Sequence, residues 1–261
     1  PVWLEDVAPE MIQLTHVLGV RTAEMHRALS EAEAPDLSPL AADESAGDAL
    51  HDRIRNELDD TRTLIEEAGS RGDSTISPDD VPGADAWLRA KERLNRLAGT
   101  GADHDRIRIH GDYHLGQVLR ADGDFFILDF EGEPVRSLSE RRRRENALRD
   151  VAGMLRSIEY AVLAAWQDHT GTETDQAGWV DALIRWADIT FLNAYGDTAG
   201  DASFLQPTDT RYEFLWAYLF DKAIYEVRYE INHRPSWAWL PLRGLRRLLN
   251  DRHIVPPEPV E

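Results

Sequence analysis

The segment HGDYHLGQVLRADGDFFILDFEGEP, residues 110–134, places Asp112 and Gln117 before a predicted β-hairpin and Asp129 at its exit. A carboxylate beside a hydroxyl group can orient that group and accept its proton as a bond forms. A second carboxylate and an amide oxygen are hard ligands, which suit Mg²⁺ bound together with substrate phosphates. The segment therefore offers one base and two oxygen ligands, the minimum equipment for phosphoryl transfer from ATP.

Protein kinases distribute these roles in the same order along the chain. In them an Asp is followed five residues later by an Asn, and a second Asp opens a motif after a hairpin. Asp112, Gln117 and Asp129 reproduce this layout, with Gln at the position where Asn is usual. The Gln side chain is longer by one methylene and keeps the amide oxygen that a metal ion requires.

Two other interpretations of this segment have to be weighed. His110 and His114 are four residues apart, as in some zinc sites, but that spacing brings two ligands together only on a helix. Gly111 and the strand pattern that follows disfavour a helix here. In the second interpretation, Asp112 and Asp129 cap turns and take no part in chemistry.

The composition limits the partners that the chain can have. Its 261 residues carry a net charge of −19, which repels nucleic-acid backbones and anionic membranes. The absence of cysteine excludes disulfides and thiolate metal sites. We find no signal peptide and no apolar run of about 18 residues. The expected protein is therefore cytoplasmic and binds neither nucleic acid nor membrane.

Hydrophobic periodicity predicts a mainly α fold with a small central β-hairpin. Apolar residues recur every three or four positions in most segments, whereas the hairpin strands are short and meet at the turn residues 121–124. Acidic, Pro-containing loops are predicted at 30–47 and 69–83. Helices are predicted at about residues 9–29, 48–68, 84–98, 147–168, 179–195 and 210–231, with a short last helix that starts at Pro241.

Several stretches of the chain resemble the maltokinases, which are related to the aminoglycoside phosphotransferases. The pair IHGDYHLGQ and LDFEGEP is specific, because most relatives have Asn at the Gln position and lack GEP. The other similar stretches are LGVRTAEMHRAL (18–29), LRDVAGMLRS (148–157) and DKAIYEVRYEINHRPSWAWLPL (221–242). The resemblance therefore covers most of the chain.

The resemblance implies the C-terminal lobe of a protein-kinase-like (aminoglycoside phosphotransferase-like) fold that makes maltose 1-phosphate from maltose and ATP. It also implies that Asp112 is the catalytic base, that Gln117 and Asp129 bind Mg²⁺, and that His110 braces the loop. The lobe, residues 1–261, would then contain a helical part (1–100), the catalytic loop with the metal-binding hairpin (101–134) and a helical sugar-binding part (135–261).

The groups with which such kinases hold the ATP phosphates are not recognisable in this sequence. The family uses a Gly-rich loop and a strand lysine from an amino-terminal lobe, whereas Lys91 and Lys222 both lie in predicted helices. We therefore expect that the amino-terminal ATP-binding lobe is absent from this chain and belongs to a longer kinase. Because such modules also occur fused behind a trehalose synthase domain, that domain is a further expected partner.

The sugar site is expected on the helices that follow the hairpin. A hydroxyl-rich sugar needs an aromatic face and planar hydrogen-bonding groups. Tyr225, Arg228 and Tyr229 supply both, and Tyr225 shares a helical face with the other two. The alternative is a core stripe with one satisfied arginine. Trp237 and Trp239 are expected to be packing residues.

Other residues and other functions stay open at this point. Two roles are open for Glu131 and Glu133. They bind waters or sugar hydroxyls, or they fix Arg149 structurally. The run Arg141–Arg144 has acidic neighbours and is expected to be solvated. One rival function is a kinase of the same fold that acts on another acceptor such as glucosamine, with an acidic pocket facing the amine. Another is a non-catalytic docking lobe of a fusion protein.

Overall fold

The computed structural model describes residues 9–34, 36–41, 45–71, 76, 80–100, 104–134, 136–170 and 177–250. The described chain forms two compact units. The first unit contains the described residues up to 41 and from 104 to 205. The second contains those from 45 to 100 and from 206 to 250.

Most of the described residues lie in helices, and the strands are short. In chain order, the helices are α1 (Pro9–Ser30), α2 (Ala46–Ser70), α3 (Ala84–Asn95), α4 (Leu138–Arg141), α5 (Leu148–Thr170), α6 (Ala177–Ala199), α7 (Thr208–His233) and α8 (Trp239–Asn250). The strands are β1 (Leu40–Ala41), β2 (Asp105–Arg106), β3 (Val118–Ala121) and β4 (Asp124–Ile127), and 3₁₀ turns span Leu115–Gln117 and Pro235–Trp237.

The first unit is organised around the close packing of α1 on α6. Gly19 makes this possible, because a Cβ at that position would lie 2.6 Å from the carbonyl oxygen of Phe191. Leu18 and Ala23 are buried in the same interface region of α1, and Phe191 is fully buried. Helix α5 packs on α6, and the short strands β1 and β2 pair antiparallel. The site described below is built on this helical base.

The β3–β4 hairpin has the turn that its sequence indicates. Val118 pairs with Ile127 and Ala121 with Asp124, which leaves Asp122 and Gly123 as the two turn residues. Their φ angles of 54° and 79° are both positive, as a type I′ turn in a two-residue hairpin loop requires. This register places both predicted metal ligands, just before β3 and just after β4, at the open end of the hairpin.

In the second unit, α2, α3, α7 and α8 bury their apolar faces around two tryptophans. Trp87 and Trp216 are each 1% exposed. Each indole N–H donates to a backbone carbonyl, Trp87 to Pro82 at 3.1 Å and Trp216 to Leu248 at 3.2 Å. The buried polar edge of each ring is thereby satisfied, as a tryptophan in a core requires.

The predicted mainly α fold with a small hairpin is confirmed, and the differences are local. The predicted loop at 30–47 contains β1 and ends earlier, since α2 begins at Ala46. The last helix begins at Trp239, so Pro241 lies within its first turn, where the missing N–H is not needed. The expected functional division of the lobe at residues 100 and 134 stays a prediction. In the described part of the chain, no helix combines the length and apolarity that crossing a bilayer requires.

Candidate functional site

The loop between β2 and β3 is held by one face of α5. The Asp150 carboxylate accepts the backbone N–H of His110 at 2.7 Å and that of Gly111 at 2.9 Å. Two turns further along the helix, Ser157 Oγ accepts the N–H of Leu115 at 3.0 Å. Backbone groups of the loop are thus satisfied by side chains of one helix, which fixes the loop without strand pairing.

The residue after Asp112 is anchored on the same face of α5. The carbonyl oxygen of Tyr113 would lie 2.6 Å from a Cβ at Gly153, so the loop approaches the helix more closely than any other residue would allow. The Tyr113 side chain is buried, and its hydroxyl lies 2.9 Å from Thr22 Oγ1. Burial raises the pKa of Tyr113. The phenol is therefore an anchor that stays protonated at neutral pH.

Asp150 is the buried centre of this arrangement. It is 2% exposed, and His26 Nε2 lies 3.2 Å from its Oδ2, while Tyr195 OH lies 2.9 Å from His26 Nδ1. Burial by itself raises the pKa of a carboxyl group, but His26 and the N–H of Gly111 outweigh this effect, and the pKa of Asp150 is lowered. Asp150 is therefore ionised at neutral pH, as an acceptor of several hydrogen bonds should be.

Asp112 lies in this loop, next to the turn that follows Asp129. Its side chain is half-buried, and its backbone N–H donates to His110 Nδ1 at 3.3 Å. A Cβ at Gly111 would lie 3.5 Å from Cα of Gly132. The loop with the predicted base and the turn after the predicted metal ligand are therefore in van der Waals proximity.

Gln117 and Asp129 are brought together by the hairpin. Leu128 N–H donates to the carbonyl oxygen of Gln117 at 2.9 Å, which extends the β3–β4 ladder by one step. At the end of this ladder Gln117 Nε2 lies 3.4 Å from Asp129 Oδ2. The two predicted ligands are thus adjacent, although they are twelve positions apart in the sequence.

Asp129 has a strained backbone conformation that is held from outside. Its φ of 61° is in the left-handed region, which costs most residues with a side chain about 1–2 kcal/mol and costs Asp less, because its short polar side chain can hydrogen-bond locally. His110 Nε2 lies 2.7 Å from the carbonyl oxygen of Leu128, and its ring packs 5.1 Å from that of Phe130. His110 is fully buried, in keeping with the bracing role implied for it. A strained residue at the predicted metal position is itself an indication of function.

The carboxylate of Asp129 and the amide of Gln117 fit Mg²⁺ better than a metal ion whose ligands all come from the protein. A carboxylate and an amide side by side leave most coordination positions to water and phosphate oxygens, which is the usual arrangement for Mg²⁺. The Gln117 amide can present its oxygen by rotating about its last bond. Among the described residues, no cluster of three or more His, Asp or Glu side chains forms a separate metal site.

The zinc interpretation of the two histidines is not supported. His110 and His114 lie outside any helix. His114 Nδ1 accepts the backbone N–H of Gly116 at 3.0 Å, and His110 contacts the carbonyl of Leu128. Both rings therefore serve local backbone groups.

Tyr225, Arg228 and Tyr229 lie on α7 in the second unit. The two tyrosines are 44% and 42% exposed, and their rings stack at 6.4 Å, so they are not part of a core stripe. Tyr229 also stacks on His233 at 4.5 Å. Arg228 Nη1 donates to Glu57 Oε2 at 3.0 Å, which is the satisfied arginine of the alternative interpretation. The surface of α7 thus offers stacked aromatic faces to solvent.

The expected packing role of the tryptophans holds for one of them. Trp239 is half-buried, whereas Trp237, the last residue of the 3₁₀ turn, is 40% exposed. Both lysines lie on helices: Lys91 Nζ is 2.6 Å from Asp59, and Lys222 Nζ is 5.4 Å from the ring centre of Tyr225.

Glu133 makes the contacts that its structural alternative requires. Glu133 Oε2 accepts a hydrogen bond from Arg136 Nε at 2.7 Å and lies 3.6 Å from Arg149 Nη2. Arg142 and Arg143 of the basic run are exposed, as expected of a solvated segment. Neither observation adds a substrate-binding group to the site.

Sequence reasoning did not identify the residues that position the loop. Asp150, Gly153 and Ser157 are spaced by three and four residues, and the last two look like ordinary small residues of a helix. The signal that could have pointed to Asp150 is a carboxylate between the buried residues Ala147 and Val151, where an unpaired charge would be costly.

The comparisons with known proteins point to one group of enzymes. No protein-family model matches the chain. A glucosamine kinase of Streptacidiphilus jiangxiensis is 32% identical over 242 residues, which are 90% of this chain and 49% of that protein. A glucosamine kinase of Mycolicibacterium smegmatis is 30% identical over 250 residues, which are 93% of this chain and 55% of that protein. The chain thus spans about half the length of the curated relatives it matches.

Solved structures of glucosamine kinases share the fold of this chain. A glucosamine kinase in complex with glucosamine, ADP and inorganic phosphate aligns with a TM-score of 0.72 and 27% identity, over 91% of this chain and 52% of that one. A second crystal form of a glucosamine kinase aligns with a TM-score of 0.70 and 28% identity. The chain has the kinase-like fold of the C-terminal half of these enzymes and is their distant homologue over that half.

Proposed function

We propose that this chain is the C-terminal half of an ATP-dependent sugar kinase. The observation that carries the proposal is the adjacency of Gln117 and Asp129, at 3.4 Å, beside the loop that bears Asp112. It occurs in a chain whose fold matches the C-terminal half of sugar kinases. A docking lobe without catalysis would have no need to bring a carboxylate and an amide together beside a loop that bears a second carboxylate.

The roles of the residues follow from their chemistry and position. Asp112 orients the acceptor hydroxyl and takes its proton as the hydroxyl oxygen attacks the γ-phosphorus in line with the leaving ADP. Gln117 and Asp129 hold Mg²⁺, which supplies neutralisation of the phosphate charge. The loop is preorganised by Asp150 and Ser157, so little rearrangement is needed when substrate binds.

For the acceptor we favour an amino sugar over maltose. The similar proteins are named glucosamine kinases, and one of their structures holds glucosamine. On α7, the half-buried Glu226 follows Tyr225 directly and lies three residues before Tyr229, so a carboxylate that could pair with an ammonium group accompanies the aromatic faces, which can themselves attract a cation. Tyr225 and Tyr229 can stack on the apolar face of either sugar. Maltose, and a fusion to a trehalose synthase domain, stay predictions with weaker support.

The remainder of the ATP site is assigned to a part of the full protein that this chain does not span. The relatives are about twice as long as the matched region. Neither of the two lysines, both on helices, is placed like the phosphate-binding strand lysine of kinases. We therefore expect the groups that cover the phosphates to come from the unmatched half.

The proposal is tested with the full-length protein, ATP and Mg²⁺ on a panel of glucosamine, glucose and maltose. Glucosamine should give the highest kcat/KM. Asp112→Asn should lower kcat by about 10²–10⁴ and leave the melting temperature unchanged, because the amide is nearly isosteric but cannot accept the proton. Asp122→Asn, in the exposed hairpin turn, is the matched control and should behave as wild type.

The outcomes separate the acceptor from the reaction. A preference for maltose would show that the proposed acceptor is wrong, but it would leave the proposed kinase reaction unaffected. An Asp112→Asn variant that melts early while its folded fraction turns over normally would show that Asp112 is structural. Absence of ATP-dependent phosphorylation of every sugar in the panel would contradict the proposed reaction itself.

A further inference from the structure

The segment that leads into the loop also contacts the chain on both sides of Asp129. In this extended stretch, Ile107 and Ile109 are buried on one side, so Arg108 and His110 point the other way. His110 Nε2 lies 2.7 Å from the carbonyl oxygen before Asp129, that of Leu128. Arg108 Nη2 donates at 3.2 Å to the carbonyl oxygen of Phe130, the residue after Asp129.

Arg108 also ties this position to the following helix. Its second terminal nitrogen, Nη1, donates to the carbonyl oxygen of Arg141, the last residue of α4. Arg141 in turn donates to the carbonyl oxygen of Glu131 at 3.4 Å. A planar guanidinium is suited to this role, because its forked N–H groups can serve two carbonyls at fixed angles.

The contacts matter because little else orients the Asp129 carboxylate. The hydrogen bond described for it, from Gln117 Nε2, is long at 3.4 Å. With a φ of 61°, the direction of the side chain depends on the two peptide planes that flank it. The plane before Asp129 carries the Leu128 carbonyl that His110 holds, and Arg108 holds the carbonyl of Phe130, one peptide beyond the plane that follows Asp129.

The environment of Arg108 disfavours the charged form of its side chain. Partial burial lowers the pKa of Arg108, since desolvation disfavours its charged form, and nearby Arg142 adds to this effect. Asp150 acts in the opposite direction. A neutral Gln would avoid the desolvation, but its shorter side chain carries a single NH₂ group in place of the guanidinium fork whose two terminal nitrogens serve the two carbonyls.

We propose that Arg108 is a positioning residue that orients Asp129 for metal binding by holding the carbonyls of Phe130 and Arg141. This inference rests on the proposed function, since it assigns a second layer of support to the same metal site. Groups that orient a metal ligand typically change metal affinity about 10–100-fold when they are removed.

The test measures metal binding directly rather than turnover. Mn²⁺, which suits the same oxygen ligands, is titrated into the full-length protein saturated with ADP and followed by electron paramagnetic resonance. Arg108→Gln should weaken Mn²⁺ binding about tenfold or more. ADP binding measured in EDTA should stay within twofold of wild type. Arg144→Gln is the matched control, because Arg144 also donates to a backbone carbonyl, that of Ser38 at 3.1 Å, and should leave Mn²⁺ affinity unchanged.

The possible results have distinct meanings. Unchanged Mn²⁺ affinity in Arg108→Gln overturns the inference, as does an equal loss of ADP binding with and without metal. If Arg108→Gln fails to fold, Arg108→Lys, which keeps the charge but not the fork, is measured against the same criteria. If wild type binds Mn²⁺ no better than Asp129→Asn does, the proposed metal site fails, whatever the role of Arg108.

Discussion

The loop with Asp112 and the aromatic surface of α7 are built in opposite ways. The loop is fixed through its backbone by side chains of α5, of which Asp150 is only 2% exposed. The aromatic surface of α7, defined by Tyr225, Tyr229 and His233, consists of side chains that stack on each other and remain open to solvent. Changing the loop's supports therefore costs folding free energy, whereas changing the aromatic surface should cost little.

Under the proposed function, this difference would separate the residues that carry the reaction from those that choose the acceptor. Groups that must be placed within a fraction of an ångström are supported by the core, since a small misplacement lowers the rate strongly. Groups that select the acceptor can be exchanged without loss of the fold. A family of kinases could thus keep one reaction and vary its sugar.

The largest effect is expected from Asp150→Ala. It leaves the N–H groups of His110 and Gly111 and the ring of His26 without their acceptor, at about 1–3 kcal/mol for each orphaned group. We expect the unfolding free energy of the full-length protein in urea to fall by about 3–5 kcal/mol. Asp48→Ala is the control, because the exposed Asp48 also accepts a backbone N–H, from Gly99 at 3.0 Å, and should cost less than about 1 kcal/mol. Equal losses of unfolding free energy in both variants would show that the buried support of the loop matters no more than an exposed hydrogen bond.

The same interaction should appear in the pH dependence of stability. Because the pKa of Asp150 is lowered from its ordinary 3.8, its contribution is complete above that value and is lost as the pH falls towards the folded pKa. The difference in unfolding free energy between wild type and Asp150→Asn should be constant above about pH 5 and shrink below about pH 4. A difference that persists unchanged at pH 3 would show that the charge of Asp150 is not what stabilises the loop.

A smaller effect is expected from Gly153→Ala. The new methyl group would lie 2.6 Å from the carbonyl oxygen of Tyr113, so the loop has to shift, at about 1–3 kcal/mol. The shift should also lower kcat about tenfold to a hundredfold, because Asp112 precedes Tyr113. Gly178→Ala on α6 is the control, since nothing lies within 4 Å of the added Cβ, and it should not lower stability. Normal kcat in Gly153→Ala would show that the loop tolerates displacement.

The smallest effect on stability is expected from Tyr229→Ala. Exposed positions usually change the unfolding free energy by about 0.5 kcal/mol or less, although lost stacking on His233 adds a few tenths. If the aromatic surface binds sugar, KM for the acceptor should rise several-fold while kcat changes little. Leu88→Ala, at the 57% exposed Leu88 of α3, should change neither. An unaltered acceptor KM would remove Tyr229 from the sugar site.

The sequence was sufficient for the elements that depend on local pattern. The hairpin follows from short apolar strands around Asp122-Gly123, and the long helices follow from their apolar period, with ends within a few residues of those observed. The β1–β2 pair was not predicted, because two-residue strands about 65 positions apart leave no local signal. The adjacency of Gln117 and Asp129 could be anticipated, since a hairpin joins them.

Long-range supports of the site could not be predicted in the same way. The role of Arg108 depends on carbonyls of Phe130 and Arg141, which any residue would provide. The role of Asp150 depends on which backbone groups α5 meets. The exposure of Tyr225 and Tyr229 was also open, because their spacing fits a buried stripe equally well.

The attachment of the loop to α5 by hydrogen bonds and close packing has a consequence for protein engineering. Residues 110–117 owe their shape to side chains at 150, 153 and 157, so the transferable module is discontinuous in sequence. A chimera that exchanges the loop alone would keep its recipient's helix and lose the fit. Under the proposed function, exchange of both segments together, with the aromatic surface of α7 left to the recipient, would move the proposed base and its support while leaving the recipient's proposed acceptor site unchanged.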